Sequence, residues 1–134
     1  MKFTVNGVPV PKMRPVFRRE DGRAYTPKKT LDYEALVRDT AVDAMAGDDP
    51  FDGAVRLDVG MYFPIPTSWT KKKQSEALNG SLAHCTKPDG DNVYKSIADA
   101  LIGVVYKDDG QITDGCFTKS YSEHPRVEIL VERL

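Results

Sequence analysis

Residues 54–63 constrain this chain more than any other stretch. Val55, Leu57, Val59, Met61 and Phe63 alternate with Arg56, Asp58, Gly60 and Tyr62. Successive side chains of a strand point to opposite faces, so the segment reads as a strand with one face buried. Pro64 and Pro66 close it, because proline lacks the amide a ladder requires. A chain containing such a strand must build a sheet and cover one side of it.

The other elements follow from the same kind of pattern. In residues 2–10, Phe3, Val5 and Gly7 alternate with Thr4 and Asn6, a strand stopped by Pro9 and Pro11. Residues 11–30 form a basic loop or short irregular hairpin, with Asp21-Gly22 as its turn. A helix opens at Thr26-Pro27, Thr26 as N-cap, and runs to about Ala46. Its expected buried face is Leu31, Ala35, Val42 and Met45, widened by Leu36 and Val37. A short polar helix is expected over 67–79, starting near Ser68 or Thr70. Residues 81–90 read as a loop, and a third helix as Asp91 to about Ile102. Two strands, 111–121 and 126–132, are expected as a terminal hairpin around His124-Pro125. Strands interspersed with helices point to an α+β domain on one mixed sheet. With 134 residues there is room for one domain, residues 1–134, and 40% hydrophobic content suffices for its core.

Composition excludes several classes. No apolar run approaches the roughly 18–20 residues of a membrane-spanning helix. The N-terminal segment has no apolar signal region. Two cysteines, Cys85 and Cys116, are too few for a disulfide scaffold, so a reducing, cytoplasmic setting is expected. No spacing joins His84, Cys85, Cys116 and His124 into a zinc site, and Cys116 is expected to pack within its strand. Trp69 is expected to cover one end of the core. No phosphate-binding glycine loop or serine or cysteine triad is visible.

The net charge of −1 hides an asymmetry. Residues 1–30 carry eight basic and two acidic side chains, whereas 31–134 carry 11 basic and 18 acidic. A second basic cluster, Lys71-Lys72-Lys73, lies within the acidic part. Such a basic arm is either a solvated loop or a polyanion-binding surface.

The acidic segment 87–114 holds Asp89, Asp91, Asp99, Asp108, Asp109 and Asp114. At ~100° per residue, Asp91, Lys95 and Asp99 fall within about 80° of one another on the third helix. Val93, Ile97, Ala100, Leu101 and Val104 fall on the opposite side. Hard divalent cations such as Mg²⁺ prefer carboxylate oxygens. A lysine one turn from such carboxylates is placed to meet a phosphate or a developing oxyanion. The same residues also suit plain structural roles: Asp89 or Asp91 as a helix cap, Asp91–Lys95 as a surface pair, Asp109-Gly110 as a turn. Spacing alone leaves both readings open, although so many clustered carboxylates repel one another without a cation.

The pattern Asp89-x-Asp91-Asn92-x-x-Lys95, then Asp99-Ala100-Leu101, Gly103 and Asp108-Asp109, resembles the RusA-type Holliday junction resolvases. Gly7-x-Pro9-x-Pro11-Lys12-x-Arg14-Pro15, Tyr25-Thr26-Pro27 and Phe63-Pro64-x-Pro66 are similar to the bacterial and prophage branch of that family. The resemblance spans nearly the whole chain. Met13 departs from it, standing where many relatives have a small residue, as does Val16, where arginine is frequent.

The resemblance implies a RusA-like fold and a homodimeric, Mg²⁺-dependent endonuclease, with Mn²⁺ as a substitute ion, that nicks four-way DNA junctions symmetrically. It implies Asp89, Asp91 and Asp109 as metal-binding carboxylates and Lys95 as the catalytic lysine, with Asp108 a neighbouring acid of unassigned role. The basic residues then become DNA contacts: Lys12, Arg14, Arg18, Arg19, Arg23, Lys71, Lys72 and Lys73 on backbone phosphates. Phe17 and Tyr25 are expected to pack into the domain, with stacking on unpaired bases as the alternative. A flap-preferring nuclease and a junction-binding protein without catalysis are the rival readings.

Overall fold

The computed structural model describes residues 1–134 as one α+β domain. In chain order it contains β1 (Lys2–Asn6), β2 (Val16–Phe17), β3 (Ala24–Tyr25), α1 (Lys28–Met45), β4 (Val55–Phe63), α2 (Lys71–Leu78), α3 (Gly90–Ala100), β5 (Ile112–Tyr121) and β6 (Arg126–Arg133). A single 3₁₀ turn, Asp109–Gln111, precedes β5. The main sheet has the order β1-β6-β4-β5, and β2 pairs with β3 in a separate small hairpin. β4 runs parallel to β5 and antiparallel to β6.

The alternating strand takes the centre of the sheet. Val55, Leu57, Val59, Met61 and Phe63 are all buried. They share the covered face with Val5 of β1 and Val127, Ile129 and Val131 of β6. Tyr33, Val37, Ala41 and Met45 of α1 and Val93, Ile97 and Ala100 of α3 complete this core. The opposite face of the sheet is polar, as the alternation requires. Arg56 bridges Asp58 at 2.9 Å and Asp114 at 2.6 Å, and the Arg126 guanidinium lies 3.9 Å from the centre of the Tyr62 ring.

The expected terminal hairpin does not form. β5 and β6 flank β4 on opposite sides, and residues 122–125 carry the chain across the end of β4, where Ser122 N donates to Phe63 O at 2.9 Å. Two strand spacings amount to roughly 10 Å, within reach of four residues. β6 has three fully buried side chains and therefore sits between two strands, whereas β5, largely exposed, takes the edge.

α1 also differs from the reading of its sequence. Leu31, Ala35 and Val42 do share a stripe, but Leu31 and Val42 are each 51% exposed and Leu36 is 45% exposed. The buried stripe is Thr30, Tyr33, Val37, Ala41 and Met45. This helix is apolar on two sides, and the side carrying Tyr33, Val37 and Ala41 is the one packed into the core. Position 27, not Thr26, caps the helix, and no side chain bonds to its first amides. β1 ends at Asn6, followed by Gly7 at φ 113°, a backbone state that suits glycine. α2 is shorter than expected; Thr70 caps it by accepting from Lys73 N at 3.2 Å.

Trp69 is half-buried and meets Tyr121 edge-on at 5.2 Å, and the row continues through His84 to Phe63. It thereby covers the Phe63 end of β4, and His84 is a stacking residue. Cys116 is exposed on β5, where its thiol donates to Asp58 at 3.4 Å. That carboxylate pushes the thiol pKa up, and the exposure means that Cys116 is not the packing residue its strand position suggests.

Candidate active site

The site forms where the basic arm crosses α3. Four hydrogen bonds fix the root of the arm. Ser96, fully buried on α3, donates from Oγ to Val10 O at 2.8 Å. Lys12 N donates to Asn92 O at 2.8 Å. Thr30 Oγ1, fully buried on α1, donates to Pro11 O at 3.2 Å and accepts from Met13 N at 3.3 Å. Both hydroxyls are paired, as burial of polar groups requires.

The helical projection of α3 holds. Val93, Ile97 and Ala100 are buried, Asp91 and Lys95 are exposed, and Asp99 is half-buried between the two sides. Asp89 is the N-cap residue of α3, yet its side chain makes no capping bond. Its carboxylate instead accepts from Lys87 Nζ at 2.8 Å, and that contact lowers its pKa. Asp91 lies in the first turn of the helix. There the unpaired amides of the helix end favour negative charge. Gly90 stands between them, and a Cβ built there would lie 2.2 Å from the Phe117 ring. A side chain at this position would have to displace the partly exposed Phe117 ring of β5.

Lys95 joins the helix to the turn before β5. Its Nζ donates to Asp99 Oδ1 at 3.0 Å and to Asp109 Oδ2 at 3.4 Å. The hydrogen bond it donates to Asp99 is the largest reason its pKa is raised. Asp99 is shared: its other oxygen lies 3.3 Å from Lys12 Nζ, which also donates to Glu34 Oε1 at 2.6 Å. Burial disfavours the Lys12 charge, but Glu34 and then Asp99 outweigh it and raise the pKa. Glu34, Lys12, Asp99, Lys95 and Asp109 therefore form a string of alternating charge. Lys12, read from sequence as a phosphate contact, sits inside this string.

Glu34 was not legible in the sequence, because α1 packs against α3 only in the folded chain. Gln111 was not legible either. Its Oε1 accepts from Lys107 N at 2.8 Å and Asp108 N at 3.0 Å. Its Nε2 donates to Phe51 O at 2.9 Å and Gly53 O at 2.8 Å. One side chain thus ties the Asp108-Asp109 turn to the segment before β4. Gln111→Ala is expected to cost roughly 1–2 kcal/mol in denaturant unfolding. Gln111→Glu, which turns a carboxylate oxygen toward the Phe51 and Gly53 carbonyls, should cost at least as much. An alanine variant with unchanged stability would sink this role.

The remaining acids separate. Asp114 faces the far side of the sheet with Arg56, away from Lys95. Asp108 is exposed. All donors near Lys95 are carboxylate oxygens, the chemistry a hard divalent ion takes. No three of them converge in this arrangement. Lys87 and Lys95 occupy Asp89 and Asp109. Arg14, Arg18, Arg19 and Arg23 are exposed along the arm, and Lys71, Lys72 and Lys73 are exposed in the first turn of α2. Between arm and helix runs a groove lined by Lys12, Arg14, Lys87, Asp89 and Asn92.

The family model for the endodeoxyribonuclease RusA matches residues 6–132. The chain belongs to the RusA family. That membership makes it an endodeoxyribonuclease at family level, of a kind that acts on branched DNA junctions. It is also similar to the uncharacterized protein YqaN of Bacillus subtilis (strain 168), at 38% identity over 138 residues. That match covers 100% of this chain and 96% of the relative. No helix of this RusA-family chain is long and apolar enough to cross a membrane.

Proposed function

We propose that this RusA-family protein is a Mg²⁺-dependent endonuclease that resolves Holliday junctions by paired, symmetric nicks during DNA recombination and repair. The observation that carries the reading is the approach of Asp109 to Lys95 across the α3–β5 connection, on the helix whose N-cap is Asp89 and whose first turn holds Asp91. Asp89, Asp91 and Asp109 would hold the ion. Once bound, Mg²⁺, or Mn²⁺ in its place, supplies an activated water and neutralises charge at phosphorus. Asp99 holds the Lys95 ammonium in place, and Lys95 meets the developing negative charge on the phosphate oxygens.

The basic residues support a DNA substrate. Lys71, Lys72 and Lys73 occupy the N-terminal turn of α2. Cations there oppose the helix dipole by roughly 0.3–1 kcal/mol each, a cost phosphate contacts would offset. Arg14, Arg18, Arg19 and Arg23 extend the same positive surface along the arm. A homodimer suits a two-fold junction, because paired nicks need two sites. The exposed stripe Leu31, Ala35 and Val42 on α1 is an apolar surface that a second copy would cover. Work on chromosomal or prophage DNA places the protein in the cytoplasm.

The test is cleavage of a labelled four-way junction with and without Mg²⁺, beside duplex and flap DNA, with Asp91→Asn as control. Symmetric nicks on the junction are expected, abolished by chelation and by the substitution. Preferential flap cleavage would replace the substrate, and tight junction binding without cleavage in either metal would overturn the enzyme reading.

A further inference from the structure

The β2–β3 hairpin carries a surface that the nuclease site does not use. Phe17 is 73% exposed and Tyr25 is 42% exposed, so neither packs into the domain. Burying a phenylalanine side chain is worth about 1.5–3 kcal/mol, and here the fold forgoes it. The hairpin is nonetheless well formed. Val16 pairs with Tyr25 and Phe17 with Ala24. Arg18 N donates to Arg23 O at 2.9 Å, Gly22 N to Arg18 O at 3.0 Å, and Arg23 N to Asp21 Oδ1 at 2.9 Å. The Arg18 guanidinium lies 5.6 Å from the centre of the Tyr25 ring. Phe17, Arg18, Arg19, Glu20 and Tyr25 line one shallow concavity.

The hairpin's exposed Arg18, Arg19 and Arg23 outnumber Glu20 and Asp21, so the aromatic surface is framed by net positive charge. It matches a ligand with anionic backbone and flat apolar rings. Duplex DNA offers phosphates but keeps its bases stacked; a branch point exposes base faces beside phosphates. We propose that the β2–β3 hairpin is a branch-point wedge, with Phe17 stacking on an unstacked nucleobase while Arg18, Arg19 and Arg23 hold the flanking phosphates. The root of the arm is hydrogen-bonded to α3, so the wedge and Lys95 are carried on one framework. This assignment rests on the junction substrate proposed above and adds the element that would recognise it.

The experiment measures affinity for a four-way junction and for a linear duplex of the same arm sequences, in chelator so that no cutting occurs. It compares the wild-type protein with Phe17→Ala, Phe17→Trp and Arg19→Ala. The wild type is expected to prefer the junction. Phe17→Ala should lose about tenfold in junction affinity with duplex affinity unchanged, in line with aromatic–base stacking elsewhere. Phe17→Trp should retain the preference. Arg19→Ala should weaken both complexes and lower the salt dependence of both. A junction preference that survives Phe17→Ala, or equal losses on both DNAs, overturns the wedge and leaves the substrate assignment standing. A wild type without junction preference overturns the substrate assignment, and the wedge falls with it.

Discussion

Lys95→Ala is expected to lower the cleavage rate on a four-way junction by roughly 10²–10³-fold, with junction affinity staying close to that of the wild type. The expected size is that of removing one charge-stabilising donor, the role proposed for Lys95. Lys95 is the group that spans α3 and the turn before β5, at 3.0 Å from Asp99 and 3.4 Å from Asp109. Its side chain is 54% exposed, so its loss leaves no cavity and should barely shift thermal unfolding. The measurement is single-turnover cleavage at saturating protein, which separates chemistry from binding. Asp99→Asn is the informative companion: it keeps the shape, weakens the hold on both Lys95 and Lys12, and should give an intermediate rate. A Lys95→Ala protein that cuts within threefold of wild type would remove the lysine from the mechanism.

Gly115→Ala should be the most damaging single methyl group in the chain. A Cβ at this position would lie 2.1 Å from Leu57 O and 2.7 Å from the Tyr94 hydroxyl. Leu57 is fully buried, and its carbonyl accepts the Tyr94 hydroxyl at 2.8 Å. The obstacle is main chain of the central strand, which cannot rotate aside as a side-chain tip would. The parallel β4–β5 pairing must open or the Tyr94 bond must break. Overpacking and a lost, partly buried hydrogen bond together amount to roughly 2–4 kcal/mol. For a domain of this size that is a fall in Tm of about 10 °C. Calorimetry of the variant decides it, and a Tm within about 2 °C of wild type would refute the close approach. Tyr94→Phe, which loses only the hydroxyl, should cost about 1 kcal/mol.

The two helices that form the site were unequally legible. α3 is apolar on one side only, so its 3.6-residue period leaves one way to bury it, and Asp91, Lys95 and Asp99 follow on the far side. α1 has Leu31, Ala35 and Val42 on one side and Tyr33, Val37 and Ala41 on another. Periodicity gives both stripes, and only the sheet selects between them. Lys12 shows the same limit for charge. Its place in the basic arm suggests a phosphate contact, but Pro11 and Met13 are tied to Thr30, and that brings Lys12 to Glu34 and Asp99.

What the sequence determined by itself is local or strictly periodic. It determined the central strand with its buried and polar faces, the orientation of α3, the α+β class, and the motif that marks the RusA family. Each depends on residues within a few positions of one another, where backbone geometry fixes direction. Tertiary structure alone decided the long-range pairings: β5 on the edge with β6 inside, the exposed hairpin aromatics, and Asp114 turned away from Lys95. It also decided the tie that Gln111 makes to residues 51 and 53. These depend on which surfaces find each other in the folded chain, a competition among many similar apolar and polar groups that no local pattern records.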